Sequence, residues 1–376
     1  MEQEALVKSL YIHFPYCRTL CNYCDFYKSE IGNISTFNNY HNYLEESLAK
    51  HHKFFLEHNI KFGKLETLYI GGGTPSLWGE EGSLYLSNLL NEHSISLNKN
   101  VEFTLEVNPG TWTKASLDSW ENSGVNRFSV GMQSLDTQIF KFLDRLHSVD
   151  DSIKTMEELR NRKANYSVDI MIGLPFSEQN NRNLIAEIEQ ALTYNPSHIS
   201  LYILTIGKGY KHYKHLPSEE YIENEYLIAS EFLRSKGFLH YEVSNFAKKD
   251  KESKHNLNYW KSESVAALGP SATGLIKKGK LGIRYKWRSS LVPDYSVEQL
   301  SKKEMELENI YLQLRTNIGI TLEMFSNNLS RSHWEKLTLK WINSKVIVEQ
   351  AKKYYLTPKG YLILDSIMSD IFTYYK

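Results

Sequence analysis

Tyr11-Ile-His-Phe-Pro-Tyr-Cys-Arg-Thr-Leu-Cys-Asn-Tyr-Cys-Asp-Phe26 begins as a strand-like run and ends in three cysteines, Cys17, Cys21 and Cys24, spaced C-x3-C-x2-C. No other cysteine occurs in the 376 residues. Thiolate is the usual protein ligand of iron in a [4Fe-4S] cluster. Three thiolates hold three of the four irons and leave the last one open to chelate a small molecule. Other uses of the cysteines fit less well. A structural zinc site would join them to a histidine such as His13. Such sites pair cysteines and complete the tetrahedron with a second pair, and no second pair exists. A disulfide framework needs an even number of cysteines and a secretory setting. If the thiols were unliganded, their confinement to one loop would be a coincidence.

Around this loop, β-rich runs alternate with helical stretches. Strands are expected over residues 10–14, 66–70, 101–107, 127–130, 168–172 and 199–204. Helices are expected over about 36–58, 83–91 and 183–192, and Thr113 or Ser116 could cap another. The strands end in Gly71-Gly-Gly-Thr-Pro75, Asn108-Pro109-Gly110, Gly131-Met132-Gln133-Ser134 and Gly173-Leu174-Pro175. Strands alternating with helices imply parallel βαβ units. Their cores read as continuous apolar runs, as expected of strands covered on both faces. The fold class is therefore α/β, a partial (β/α)6 barrel, with its site on the loops after the C-terminal strand ends.

Beyond about residue 215 the pattern changes. A helix is expected over 218–236, a strand over 238–243, and a solvated loop over the lysine-rich residues 248–254. Residues 302–376 read as helix, helix, short strand and helix, a mostly helical, winged-helix-like unit. The chain thus divides into a barrel (1–240), a connecting region (241–300) and a C-terminal unit (301–376), in line with its length. Lys plus Arg and Asp plus Glu both total 44, so no net charge favours nucleic acid or an anionic membrane. The C-terminal unit is accordingly read as a lid or packing domain. Met1-Glu-Gln-Glu-Ala-Leu-Val-Lys8 lacks the basic and apolar regions of a signal peptide. No apolar run reaches the roughly 18 residues of a membrane span. A reducing cytoplasmic location is expected.

A second set of residues gathers near the strand ends. Gly71-Gly-Gly-Thr-Pro75 is either a tight turn or an edge that admits a ligand close to the backbone. It lacks the Gly-Lys-Ser/Thr ending of a P-loop. Arg145 can grip a carboxylate, and Glu106, Gln133 and Asp169 can take an ammonium and hydroxyls. Taken singly, each also suits a surface. Tyr11 and Tyr23 flank the cysteines, where they could shield a cluster, stack on a base or fill the core. His255-Asn-Leu-Asn-Tyr-Trp260 sets a histidine beside aromatics. That suits haem ligation, or an ordinary half-buried imidazole.

With these motifs in order, the chain resembles the HemW family of radical SAM haem chaperones, relatives of the oxygen-independent coproporphyrinogen III oxidases. The likeness covers nearly the whole chain. It includes Gly124-Val-Asn-Arg-Phe-Ser-Val-Gly-Met-Gln-Ser134, Arg145-Leu-His147, Asp169-Ile-Met-Ile-Gly-Leu-Pro175 and Glu242-Val-Ser-Asn-Phe-Ala247. The resemblance implies a [4Fe-4S] cluster on Cys17, Cys21 and Cys24, with S-adenosyl-L-methionine on the open iron. It implies cofactor contacts at Tyr11, Tyr23, Gly72, Gly73, Thr74, Glu106, Gln133, Arg145 and Asp169. It associates His255, Asn256, Tyr259 and Trp260 with haem, and the last 76 residues with the family's second domain.

The implied function is to bind haem and deliver it to an acceptor protein, with a homodimer among the open oligomeric states. Cofactor cleavage in turnover is also left open. The alternative is a dehydrogenase that oxidatively decarboxylates porphyrinogen propionates. Two features separate them: the dehydrogenases carry a fourth cysteine where this chain has Phe26, and a longer arm than the 16 residues before Cys17. A structural zinc protein is a third reading. The chain also departs from the family. Leu204-Thr-Ile-Gly-Lys-Gly-Tyr210 stands where Leu-Thr-Ile-Glu-Pro-Gly-Thr is usual, Asp144 replaces a common Gly, and Ala266-Ala267 replaces Tyr-x before Leu268-Gly-Pro270.

Overall fold

The computed structural model describes residues 4–32, 35–326 and 328–376. Residues 1–3, at the start of the segment examined for a leader, lie outside them. The expected parallel strands are β1 (Ala5–Phe14), β2 (Ile60–Gly72), β3 (Leu97–Val107), β4 (Arg127–Gln133), β5 (Tyr166–Ile172) and β6 (His198–Ile203). They pair side by side in chain order, every neighbouring pair parallel.

Their sequences are not continuous apolar runs. Side chains alternate with the period of two that a pleated strand imposes. Leu10, Ile12 and Phe14 are fully buried on one face of β1, with Leu68 and Ile70 on β2, Leu105 on β3 and Val168 and Ile170 on β5. The other face carries Tyr11 and His13, Tyr69, Glu106, Ser129 and Asp169, kept on one side by registers such as Tyr11↔Tyr69 and Glu106↔Ser129. The apolar face lies under helices, and the polar face lines the barrel.

Four of the connecting helices have a side-chain cap at their start. In α3 (Lys114–Asn122), Thr113 accepts from the Ser116 N–H while Ser116 Oγ accepts from the Thr113 N–H, so both expected cap residues act in one capping box. Ser148 and Asp151 make a second box on α4 (Val149–Asn161), a helix the sequence reading did not place. The remaining barrel helices are α1 (Ser35–Glu57), α2 (Gly79–Glu92), α5 (Leu184–Leu192), capped by Asn183, and α6 (Glu219–Ser235), capped by Ser218.

Three short strands extend the sheet beyond six. β7 (Leu239–Glu242) and β8 (Asn245–Ala247) form an antiparallel pair, and β8 runs antiparallel to β6. At the far edge, β9 (Ala266–Leu268) runs parallel to β1. Between β8 and β9, the stretch read as a solvated loop ends in helix α7 (Lys254–Trp260), capped by the buried Ser253. An antiparallel three-stranded sheet, β10 (Thr273–Lys278), β11 (Leu281–Trp287) and β12 (Tyr295–Leu300), leads to the C-terminal unit.

That unit consists of α8 (Lys302–Leu314), α9 (Arg331–Asn343), a hairpin of β13 (Ile347–Gln350) and β14 (Lys353–Leu356), and α10 (Leu364–Tyr374) after a short helical turn. The single strand expected there is a hairpin, turned by Ala351 and Lys352, both at positive φ. The unit docks on the β7 edge, where the Val243 N–H donates to Arg315 C=O and the Asn317 N–H to Tyr241 C=O, each at 2.8 Å. One buried apolar cluster includes both Val7 of the barrel and Ile371 of the tail. Among the described residues no helix is long and apolar enough to cross a membrane.

Candidate radical SAM site

Where β1 ends, Tyr16–Cys17 pairs with Ser29–Glu30 and pinches the base of the cysteine loop. The Ser29 N–H donates to Pro15 C=O at 2.7 Å and the Ile31 N–H to Cys17 C=O at 2.8 Å. All three cysteines are free and line one cavity of about 620 Å³ at the C-terminal strand ends. Burial pushes the Cys17 and Cys21 thiols up, although the Arg145 guanidinium pulls Cys21 down. Thiolates in this setting need a cationic partner, which cluster iron supplies.

His13, the histidine considered for zinc, has both ring nitrogens engaged. Nδ1 meets Tyr11 OH at 3.0 Å and Nε2 meets Tyr27 C=O at 2.8 Å. Among the described residues no three His, Cys, Asp or Glu side chains converge as a single metal ion requires. A cubane spreads its irons over separate corners, so its three thiolates need not converge on one point.

The glycines at the end of β2 and just after it lie against this loop. The Gly73 N–H donates to Phe14 C=O at 2.7 Å and the Thr74 N–H to Tyr16 C=O at 2.8 Å. A Cβ on Gly73 would come within 2.7 Å of the Tyr16 carbonyl oxygen, and one on Gly72, at φ 116°, within 2.6 Å of the His13 ring. Close backbone approach therefore requires both glycines. The Gly72 N–H also donates to Glu106 Oε2 at 3.0 Å, and Tyr69 OH donates to Oε1 at 2.8 Å.

Burial raises the Glu106 carboxyl to about 7, against the pull of those two donors. Asp169 is also raised by burial, and it accepts from Ser129 Oγ at 3.1 Å. Arg145 donates from Nε to Tyr23 OH at 2.8 Å and from Nη1 to Asn108 Oδ1. The register shift between Val130 and Gln133 sets Gln133 at φ 68° on the cavity wall.

Of the residues expected to contact the cofactor, Tyr23, Gly72, Gly73, Thr74, Glu106, Gln133, Arg145 and Asp169 all line this cavity. Tyr11 is not on its wall; its ring lies within the barrel between His13 and His255. The donor set fits an amino-acid-bearing nucleoside: acids for an ammonium and ribose hydroxyls, and a guanidinium for a carboxylate. Tyr69, Asn108 and Ser129 hold Glu106, Arg145 and Asp169 in place, and the sequence reading missed all three. The alternation of β2, β3 and β4 is the signal that could have found Tyr69 and Ser129.

The residues associated with haem, His255, Asn256, Tyr259 and Trp260, lie on helix α7. Helix α7 packs on the inward residues Ser9, Thr67 and Glu102, none of which lines the cavity. The Glu102 carboxylate accepts the Lys254 and His255 N–H groups at 3.0 and 2.9 Å, and Asn258 Nδ2 donates to Ser9 Oγ at 2.8 Å. His255 is 1% exposed. Its Nδ1 meets Thr67 Oγ1 at 2.9 Å, its ring lies among Tyr11, Tyr69 and Tyr259, and burial drives its pKa down to about 3. Asn256, Tyr259 and Trp260 are half-buried, with the Arg315 guanidinium 4.8 Å over the Trp260 ring. The buried His255 Nε2 and Trp260 Nε1 have no hydrogen-bond partner among the described residues.

Residues 11–188 match the radical SAM superfamily model. The haem chaperone HemW of Buchnera aphidicola (Schizaphis graminum) is 30% identical, over 94% of this chain and 91% of its own. The mitochondrial radical S-adenosyl methionine domain-containing protein 1 of Danio rerio is 32% identical, over 96% and 83%. The fold matches that of coproporphyrinogen III oxidase HemN from Escherichia coli, a radical SAM enzyme, with a TM-score of 0.79 at 18% identity over 99% and 91% of the two chains.

Proposed function

The chain belongs to the HemW family of radical SAM proteins, and from that premise we propose that it is a haem chaperone: it binds haem, carries a [4Fe-4S] cluster with S-adenosyl-L-methionine, and delivers haem to an acceptor protein. The observation that carries the cofactor part is the shared cavity, in which three thiols of one loop face Glu106, Gln133, Arg145 and Asp169. Cys17, Cys21 and Cys24 hold the cluster. When bound, the cluster supplies an open iron and a reducing electron. The chain's own residues bind and orient. Arg145 takes the methionyl carboxylate, Glu106 and the Gly72–Thr74 edge take the ammonium side, and Asp169 with Gln133 takes ribose hydroxyls. Tyr23 covers the loop.

A carrier is favoured over a dehydrogenase by Phe26, which is 69% exposed on the cavity rim where the dehydrogenases place a further cysteine. The cytoplasm, which keeps thiols reduced, is the proposed setting. Divisions at residues 240 and 300, and a homodimer, belong to the same proposal.

The test is a haem titration on anaerobically reconstituted protein, with coproporphyrinogen III turnover measured on the same sample. Stoichiometric haem binding without turnover is expected. Turnover without tight haem binding would identify a dehydrogenase. Cys17→Ala is expected to abolish iron and sulfide incorporation while the chain stays folded.

A further inference from the structure

Asp169 stands at one end of a line of hydrogen bonds that runs down the inside of the barrel. Ser167 Oγ donates to Asp169 Oδ1 at 3.3 Å and meets His198 Nδ1 at 2.8 Å. His198 Nε2 meets Tyr241 OH at 2.8 Å, and the Ser253 N–H donates to that phenol oxygen at 3.2 Å. The inward rows of β5 and β6 hold the line together, through the registers Ser167↔His198 and Asp169↔Ser200. Of these residues Asp169 alone is on the cavity wall. Ser167, His198, Tyr241 and Ser253 are fully buried. Because Ser253 caps α7, the line joins the cavity to the start of that helix.

The donors in this line can point only one way. Among the described residues the Tyr241 hydroxyl has two polar partners, His198 Nε2 and the Ser253 N–H. The N–H can only donate, so the phenol proton goes to Nε2. Burial and the Arg127 guanidinium hold His198 well below its ordinary pKa, so its ring is neutral. A neutral imidazole with a bare Nε2 carries its proton on Nδ1. Nδ1–H therefore donates to Ser167 Oγ, and the Ser167 proton goes on to Asp169. Ser129 Oγ donates to the same carboxylate at 3.1 Å, and Arg127 favours its ionised form. Hydrogen bonds aligned in this way reinforce one another in a low-dielectric interior.

We propose that His198 is a positioning residue of the cofactor site: Tyr241 holds it as the Nδ1–H tautomer, and it turns the Ser167 hydroxyl toward Asp169, fixing that carboxylate as a bare acceptor for ribose hydroxyls. This rests on the reading of Asp169 given above. His198 touches no ligand itself; it acts through Ser167.

The experiment titrates S-adenosyl-L-methionine calorimetrically into the anaerobically reconstituted full chain, with the cluster left oxidised so that the cofactor is not cleaved. Ser167→Ala removes the last donor of the line and is expected to bind about threefold to tenfold more weakly, the worth of one hydrogen bond. Tyr241→Phe, two links from Asp169, should weaken binding about threefold. Tyr226→Phe deletes another buried phenol hydroxyl, one that donates to Val243 C=O at 2.6 Å, and should lower stability while keeping wild-type affinity. In wild type with isotopically labelled histidine, nitrogen magnetic resonance should show His198 protonated at Nδ1 and bare at Nε2, its signals identified by their loss in His198→Gln. An Nε2–H tautomer would overturn the proposal. So would Ser167→Ala and Tyr241→Phe variants that bind like wild type while Asp169→Asn binds weakly, an outcome that leaves the cofactor reading standing. If Asp169→Asn itself binds like wild type, the reading of Asp169 falls and takes the role of His198 with it.

Discussion

Glu106 shows how one side chain links burial, pH and ligand. Its carboxyl is raised to about 7 by burial, with Asp169 adding like-charge repulsion. An acid whose folded pKa lies above its unfolded value binds more protons folded than unfolded, so its contribution to stability falls as pH rises from about 4.5 to 7 and is level beyond. Each pKa unit is worth about 1.4 kcal/mol. The ionised form is the one that attracts an ammonium. Affinity for S-adenosyl-L-methionine is therefore expected to rise between pH 6 and 8. Glu106→Gln keeps one acceptor oxygen for the Gly72 N–H or Tyr69 OH but should bind weakly, with a flat profile. Calorimetric titration across that range checks it, and a wild-type profile as flat as the variant's would remove Glu106 from the ammonium site.

At the scale of elements, helix α7 depends on one buried carboxylate. Glu102 takes two of its first N–H groups, which otherwise have no intrahelical partner. Glu102→Ala leaves both unpaired, the buried His255 N–H among them, and should cost about 1–3 kcal/mol, read as a lower urea midpoint at unchanged slope. Glu102→Gln, which keeps one acceptor oxygen, should cost less. The sequence made the six parallel strands legible, because Thr67-Leu-Tyr-Ile70 and Phe103-Thr-Leu-Glu-Val107 carry strand residues up to glycine- or proline-rich ends. It also made the cluster loop legible, because cysteine spacing is local chemistry. The strand expected over 238–243 is β7, but β8 and β9 escaped: each is three residues long, and such strands are defined by their partners rather than by pattern. The depth of His255 escaped for the same reason. Lys248-Lys-Asp-Lys-Glu-Ser-Lys254 reads as a solvated loop until Ser253 and Glu102 are seen to meet the helix that follows it.

Across the whole molecule, barrel and C-terminal unit share one buried cluster and a backbone seam at β7. Removing residues 302–376 would expose the β7 edge and its apolar cover. The truncated chain is expected to aggregate, and the full chain to melt in a single transition; recovery of a stable 1–301 fragment after limited proteolysis would contradict this. The same wholeness gives the cysteine loop a particular independence. All three thiols come from eight consecutive residues, pinched at the base by Tyr16–Cys17 and Ser29–Glu30, and none of those eight belongs to the main apolar core, which Tyr16 joins. Small zinc domains, by contrast, fold only when their metal arrives. Loading and folding are therefore expected to be separate events, so that under iron starvation the chain would persist as an empty but intact reserve; a cluster-free preparation that melts as cooperatively as the reconstituted one checks this.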